Sequence, residues 1–170
     1  TIDISDPAIL NSYMRIYMFK TVTPSITVSN RYDLEFAAPI YTTSSDEAVM
    51  ESTKFLINGI EHFFSDAAIA DSNNRRVFMY KVVNGLRTTV VANAGTIYTT
   101  TGRVVINGFL PDAATPITFT LSPNSNDLAP KRNQLLSIDM TQVAVTGEVD
   151  SIAVSGSAGT VNYNTTSRHK

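Results

Sequence analysis

Two histidines, fifteen carboxylates and thirteen lysines and arginines are the groups in this chain that can move protons, hold metals or bind anions; cysteine is absent. His62 stands beside Glu61 in an apolar run and His169 lies at the far C-terminal end. A metal centre needs several ligands at structured spacing, and two isolated imidazoles without thiolates do not supply them. His62 is read as a satisfied surface or edge histidine of a hairpin arm. Asp46, Glu47 and Glu51 form a local acid cluster. Glycosyl transfer needs two carboxylates flanking one bond across a cleft, whereas neighbours on a Ser/Thr-rich loop describe a solvated turn. Asp3, Asp6, Asp71 and Asp127 accompany turn-forming residues and read as caps or Asx-turns. Arg75-Arg76 and Lys131-Arg132 are basic pairs, too few for a phosphate-binding face; the guanidinium fork suits hydrogen-bonded protein contacts instead. The chain has no Gly-rich phosphate loop, no Gly-x-Ser-x-Gly and no long-period repeat. Asn164-Thr165-Thr166 matches a glycosylation acceptor, which carries meaning only in a secreted eukaryotic protein. No catalytic set, metal or cofactor is expected.

Bulk properties agree with that reading. The net charge of −2 gives no general attraction to nucleic acid or to an anionic membrane. No run of about 18 apolar residues marks a membrane-spanning helix, and Thr1-Ile-Asp-Ile-Ser-Asp-Pro7 lacks the basic and apolar regions of a signal peptide. Charged residues make up 16% of the chain, against about a quarter in ordinary soluble domains. Ser and Thr fill the difference, as on extracellular and virion β proteins and on surfaces covered by neighbours.

The elements that must position these groups are strands. Asn58-Gly59, Asn84-Gly85 and Asn107-Gly108 each separate apolar runs. A type I′ turn needs positive φ at both central residues, which Asn tolerates and Gly adopts freely, so Asn-Gly between such runs predicts a hairpin. The first pairs 54–57 with 60–64 and the second pairs 76–83 with 86–91. The third would join 103–106 to Phe109-Leu110, but Pro111 removes a ladder donor soon after. Ile26, Val28, Tyr32, Leu34 and Phe36 alternate as a half-buried strand, with a bend or bulge near Asn30. Ile117, Phe119 and Leu121 make a further strand, Leu136, Ile138 and Met140 another, and Val143, Val145, Ile152 and Val154 shorter ones. Asp46–Glu51 has helix formers but spans too little for a stable helix, and Asp6 with Pro7–Leu10 makes at most one helical turn.

The fold class expected is mainly β: an antiparallel β-sandwich or irregular two-sheet domain built from hairpins, with little helix. Residues 24–154 form the β domain. Residues 1–23 read as an arm or the end of a preceding domain, because Ser12–Val22 is apolar on both faces without an evident partner strand. Residues 155–170, small and polar, read as a flexible C-terminal tail.

Several segments, in order, carry a resemblance. Gly95-Thr-Ile-Tyr-Thr-Thr-Thr-Gly-Arg-Val-Val-Ile-Asn-Gly-Phe109, Ile117-Thr-Phe-Thr-Leu-Ser-Pro123 and Arg132-Asn-Gln-Leu-Leu136 are joined more loosely by Asp6-Pro-Ala-Ile-Leu-Asn-Ser12 and Tyr32-Asp-Leu-Glu-Phe-Ala-Ala-Pro-Ile40. Together they resemble the C-terminal part of the ring-forming baseplate wedge protein of T-even-type, cyanophage-like contractile-tailed phages. The resemblance implies a non-enzymatic structural virion protein of the tail baseplate, assembled in the bacterial host cytoplasm. It would contact copies of itself and other baseplate wedge subunits as a homo-oligomer around the tail hub. It implies no cofactor, no nucleic acid and no membrane. Members of that family are several times longer and carry a helical N-terminal region absent here, so the chain would be a C-terminal fragment.

Interface residues expected on this reading are Tyr13, Tyr17 and Phe19 on the arm, and Arg132, Asn133 and Gln134 in the polar string before a strand. The alternative is a carbohydrate-binding β-sandwich of a phage receptor-binding protein. Tyr41, Tyr80 and Tyr98 would then be the platform rings, since Trp is absent. A hydrolase would require Glu47 or Glu51 buried opposite a second acid.

Overall fold

The computed structural model describes residues 15–42, 47–125 and 138–147. The chain divides into two units, Thr1–Gln134 and Leu135–Lys170. Among its described residues the first holds nine strands: β1 Met18–Val22, β2 Asn30–Glu35, β3 Met50–Ser52, β4 Phe55–Ile57, β5 Ile60–Ala68, β6 Arg75–Val83, β7 Leu86–Tyr98, β8 Arg103–Phe109 and β9 Ile117–Leu121. Among the described residues there is no α-helix. The fold is mainly β, as expected. Its layers come from one antiparallel sheet in the order β1-β9-β3-β5-β6-β7-β8-β2, with β4 beside β5, curled until nearly closed like a barrel.

Closure follows from where the apolar side chains point. Phe109 on β8 meets Phe64 on β5 at 5.1 Å, Phe55 on β4 at 5.2 Å and Tyr32 on β2 at 5.7 Å between ring centroids. Strands well separated along the sheet thus share one core, to which Met50, Ile97, Ile106, Ile117 and Phe119 also contribute. The segments following β2 and β9 form a bridge between Ile40 and Pro123. The Tyr41 N–H donates to the Ser122 carbonyl and the Asn124 N–H to that of Pro39.

Two Asn-Gly turns are hairpin turns as expected. Asn58 and Gly59 (φ 52° and 72°) join β4 to β5, and Asn84 and Gly85 (φ 53° and 79°) join β6 to β7. The third is not a turn. Asn107-Gly108 lies inside β8, and neither residue has positive φ. Its glycine serves close approach instead: a Cβ there would lie 2.5 Å from Ser29 Oγ and 3.1 Å from the Ser29 carbonyl oxygen, where the chain enters β2. The β7–β8 connection is made by Thr101-Gly102, with Gly102 at φ 69°.

The strand expected from Ile26 to Phe36 is shorter. It begins at Asn30, with a register shift between Asn30 and Tyr32 where a bulge was anticipated. Ser25 Oγ accepts hydrogen bonds from the N–H groups of Thr27 and Val28, an alternative to the ladder that holds 26–28 in a bend. In the second unit, the strand expected through Ile138 and Met140 is instead a 3-10 turn at Met140–Gln142. Asp139 Oδ1 caps it, accepting from the Thr141 N–H at 3.0 Å.

Candidate interaction surface

The structure does not bring the described acids of the expected cluster together as a catalytic pair. Glu47 is exposed, and exposed Glu51 is bonded at 3.0 Å to Arg87. Asp46 lies outside the described residues. The buried acid is Asp66, 2% exposed, which accepts from the backbone N–H groups of Val49 at 2.8 Å and Met50 at 2.7 Å and pairs with the Arg75 guanidinium. Arg75 also donates to the Glu47 carbonyl at 2.7 Å. The polar sites of Asp66 are filled by structural donors, so it anchors the start of β3 to β5 and β6. Nothing in the Phe-Ser-Asp-Ala context of Asp66 announced this role; its position on a strand facing inward was the only signal.

His62 is buried at 5% exposure, not at the surface. Its Nδ1–H donates to the Ile60 carbonyl at 2.9 Å, with its ring 6.1 Å from that of Phe55. Asp112, unremarked in the sequence, caps the first Asn-Gly turn by accepting from the N–H groups of Asn58 at 2.8 Å and Gly59 at 2.7 Å. No three His, Cys, Asp or Glu side chains among the described residues group to hold a metal.

The arm strand finds its partner in this chain. β1 pairs antiparallel with β9, from Met18↔Leu121 to Val22↔Ile117, and occupies one end of the sheet order. Leu121 and Ile117 are fully buried, so Met18, Lys20 and Val22 share the core-facing side. Lys20 Nζ lies 6.0 Å from the centre of the Phe36 ring. The opposite side carries Tyr17 and Phe19, 53% and 51% exposed. Of the expected interface residues these two are described, and both stand uncovered. Tyr13, Arg132, Asn133 and Gln134 lie outside the described residues, as does His169.

A second uncovered surface, which sequence reading did not single out, is the outer half of the β6–β7 hairpin. Beyond Tyr80 the two strands leave the core, and β7 is exposed from Leu86 to Asn93. Val82, Val83, Leu86 and Val90 are 51%, 43%, 72% and 46% exposed. Tyr80 itself is buried, stacked on Phe63 at 5.3 Å with the Arg87 guanidinium 4.9 Å from its ring centre. Burial pushes its phenol above the ordinary tyrosine value. Tyr41 and Tyr98 remain 47% and 36% exposed, the latter 5.8 Å from the Arg103 guanidinium. Arg103 grips Asp33 through both Nε and Nη2, and that hydrogen bonding holds the Asp33 carboxyl below the usual aspartate range.

Set against known proteins, the chain matches no family model, and no curated protein or solved structure is detectably similar to it.

Proposed function

We propose that this chain is a structural virion module, part of a baseplate wedge subunit that joins copies of itself and neighbouring wedge subunits around a contractile-tail hub. The observation that carries the reading is the outer face of β1, where Tyr17 and Phe19 stand half-exposed on an edge strand. A strand at the end of the sheet order among the described residues, carrying uncovered aromatic rings, invites a protein neighbour. The thinly charged, Thr-rich composition fits a surface spent in contacts, and the ordered run of segments from Gly95 to Leu136 supplies the link to phage baseplates. The module acts by burial and pairing, without catalysis or cofactor. Sedimentation across a range of concentrations tests it: self-association that Phe19→Asp weakens is expected, and a strict monomer throughout overturns the homo-oligomeric part. Whether it occupies a tail baseplate is tested by imaging the parent particle, where density for this sheet anywhere but the baseplate overturns the assignment.

A carbohydrate-binding role rests on fewer rings than the sequence offered, because Tyr80 lies beneath Arg87 and cannot present its face to a sugar.

A further inference from the structure

We infer that Asn84 is a self-modification site. In the folded chain it closes to a succinimide on the Gly85 nitrogen and reopens as aspartate or isoaspartate, while the same dipeptide at 58–59 and 107–108 is held back by its neighbours. The inference stands apart from any baseplate role.

The chemistry is intramolecular. The amide nitrogen of Gly85 gives up its proton to solvent base and attacks the side-chain Cγ of Asn84. A ring C–N bond forms, the carboxamide C–N bond breaks, and the leaving nitrogen takes a proton from water and departs as ammonia. One water then opens the ring. Attack at Cγ gives an ordinary aspartate, and attack at the backbone carbonyl leaves the chain running through the side chain as isoaspartate. Asparagine is among the thermolabile residues, and a following glycine has no Cβ to hinder the approach of its nitrogen.

Three copies of one dipeptide make an internal comparison. Each follows a β-branched residue, Ile57, Val83 or Ile106, and each is exposed, so neither local sequence nor exposure separates them. At the arm tip, Val83↔Leu86 closes the turn, and the amides of Asn84 and Gly85 stand outside the ladder. Among the described residues no side chain holds either amide. Ring closure requires the asparagine to rotate out of its turn conformation. Here that rotation only frays the exposed end of a hairpin.

Asn58-Gly59 has nearly the same backbone, with φ 52° and 72° against 53° and 79°. Its amides are engaged. The Asp112 carboxylate accepts from the Asn58 N–H at 2.8 Å and from the Gly59 N–H at 2.7 Å. That negative charge opposes loss of the Gly59 proton, and rotation of Asn58 must break two charge-assisted bonds. Asn107-Gly108 lies in β8 between the pairs Ile106↔Tyr32 and Phe109↔Asn30. The Asn107 carboxamide donates to the Asn93 carbonyl at 3.4 Å, and Gly108 packs on Ser29. Rotation there disrupts the β2–β8 ladder.

Either product places a negative charge beside Val83 and Leu86, 43% and 72% exposed. Isoaspartate also adds one methylene to the backbone, so a two-residue turn no longer returns Val83 to Leu86 in register. The apolar end of the arm therefore changes as the chain ages, and the core does not.

The three dipeptides fall in separate tryptic peptides, 55–75, 82–87 and 104–131. Mass spectrometry can follow each while the intact chain is held in warm, mildly alkaline buffer. Asn84 is expected to convert about tenfold or more faster than Asn58 and Asn107, the margin that bonds to a charged group supply. In concentrated urea the three rates should converge. Asp112→Ala keeps the backbone bond from residue 112 to the Leu56 carbonyl. It should bring Asn58 close to the rate of Asn84 and leave Asn84 unchanged. Conversion of Asn84 no faster than that of the other two in the folded chain overturns the inference. An unchanged Asn58 in Asp112→Ala removes the protection assigned to the carboxylate, and a ranking that persists in urea removes the fold as its cause; either result overturns it as well.

Discussion

The β6–β7 hairpin holds two environments on one pair of strands. At its base, Val77, Met79 and Ile97 are core residues and Arg75 is sealed against Asp66. Past Tyr80 the same strands carry Val82, Val83, Leu86 and Val90 into the open. The residue types hardly change; the neighbours do. β5 flanks the base on one side and β8 on the other, whereas among the described strands the outer part of β7 pairs with β6 alone. A two-stranded ribbon alone is marginal in water, so the base holds the arm in place. The arm's valines and leucine add little to the fold and are free to serve a neighbour.

That contrast can be broken at either end. The largest effect should come from Arg75→Met, which leaves Asp66 a buried unpaired charge and the Glu47 carbonyl without its donor. Urea unfolding should show a loss of about 3–5 kcal/mol; a loss below 1 kcal/mol would mean the base is not anchored as described. Gly95→Ala comes next, because its Cβ would lie 2.1 Å from the Val105 carbonyl oxygen and the β7–β8 ladder must shift. A loss of about 1–3 kcal/mol is expected for such overpacking. Leu86→Ser, at the exposed end, should leave monomer stability within about 0.5 kcal/mol, and a cost above 1 kcal/mol would make the arm part of the core after all. The smallest effect sits at the boundary. Tyr80 has a raised pKa in the fold, so its contribution is complete below the unfolded tyrosine value of about 10 and is lost as pH rises through the folded value. In an alkaline tyrosinate titration, Tyr80→Phe should remove a late-ionising phenol.

Periodicity made the strands legible wherever one face was buried: 117–121, the two hairpins with true type I′ turns, and the bulge near Asn30 could all be read directly. What failed was local chemistry with two uses. Asn-Gly at 107–108 has the composition of a turn, but Gly108 is there to let Ser29 approach. Ser25 competes for the backbone at 26–28, which alternation alone cannot reveal. β1 looked partnerless because its partner lies far along the chain, and no local pattern encodes that pairing. Of the candidate surface, Tyr17 and Phe19 were visible as an excess of apolar residues on both faces of a short run. The outer β6–β7 arm was not, because its Val-rich sequence is equally good for a covered strand, and only the early end of β8 pairing uncovers it.

The pairing of β1 with β9 has a further consequence, in time. Thr21 and Thr118 bond across 97 positions of sequence. Contacts of such separation close slowly, after the cost of ordering the intervening loop has been met. A ribosome adding roughly 5–20 residues each second delivers β9 about 5–20 s after β1. For that interval Met18–Val22 emerges with both strand edges open and its aromatic neighbours bare, beside nascent chains of the same kind. The β1 surface proposed for the finished particle is thus also the one most in need of shielding during synthesis, and expression of truncations ending before Ile117 should aggregate through it.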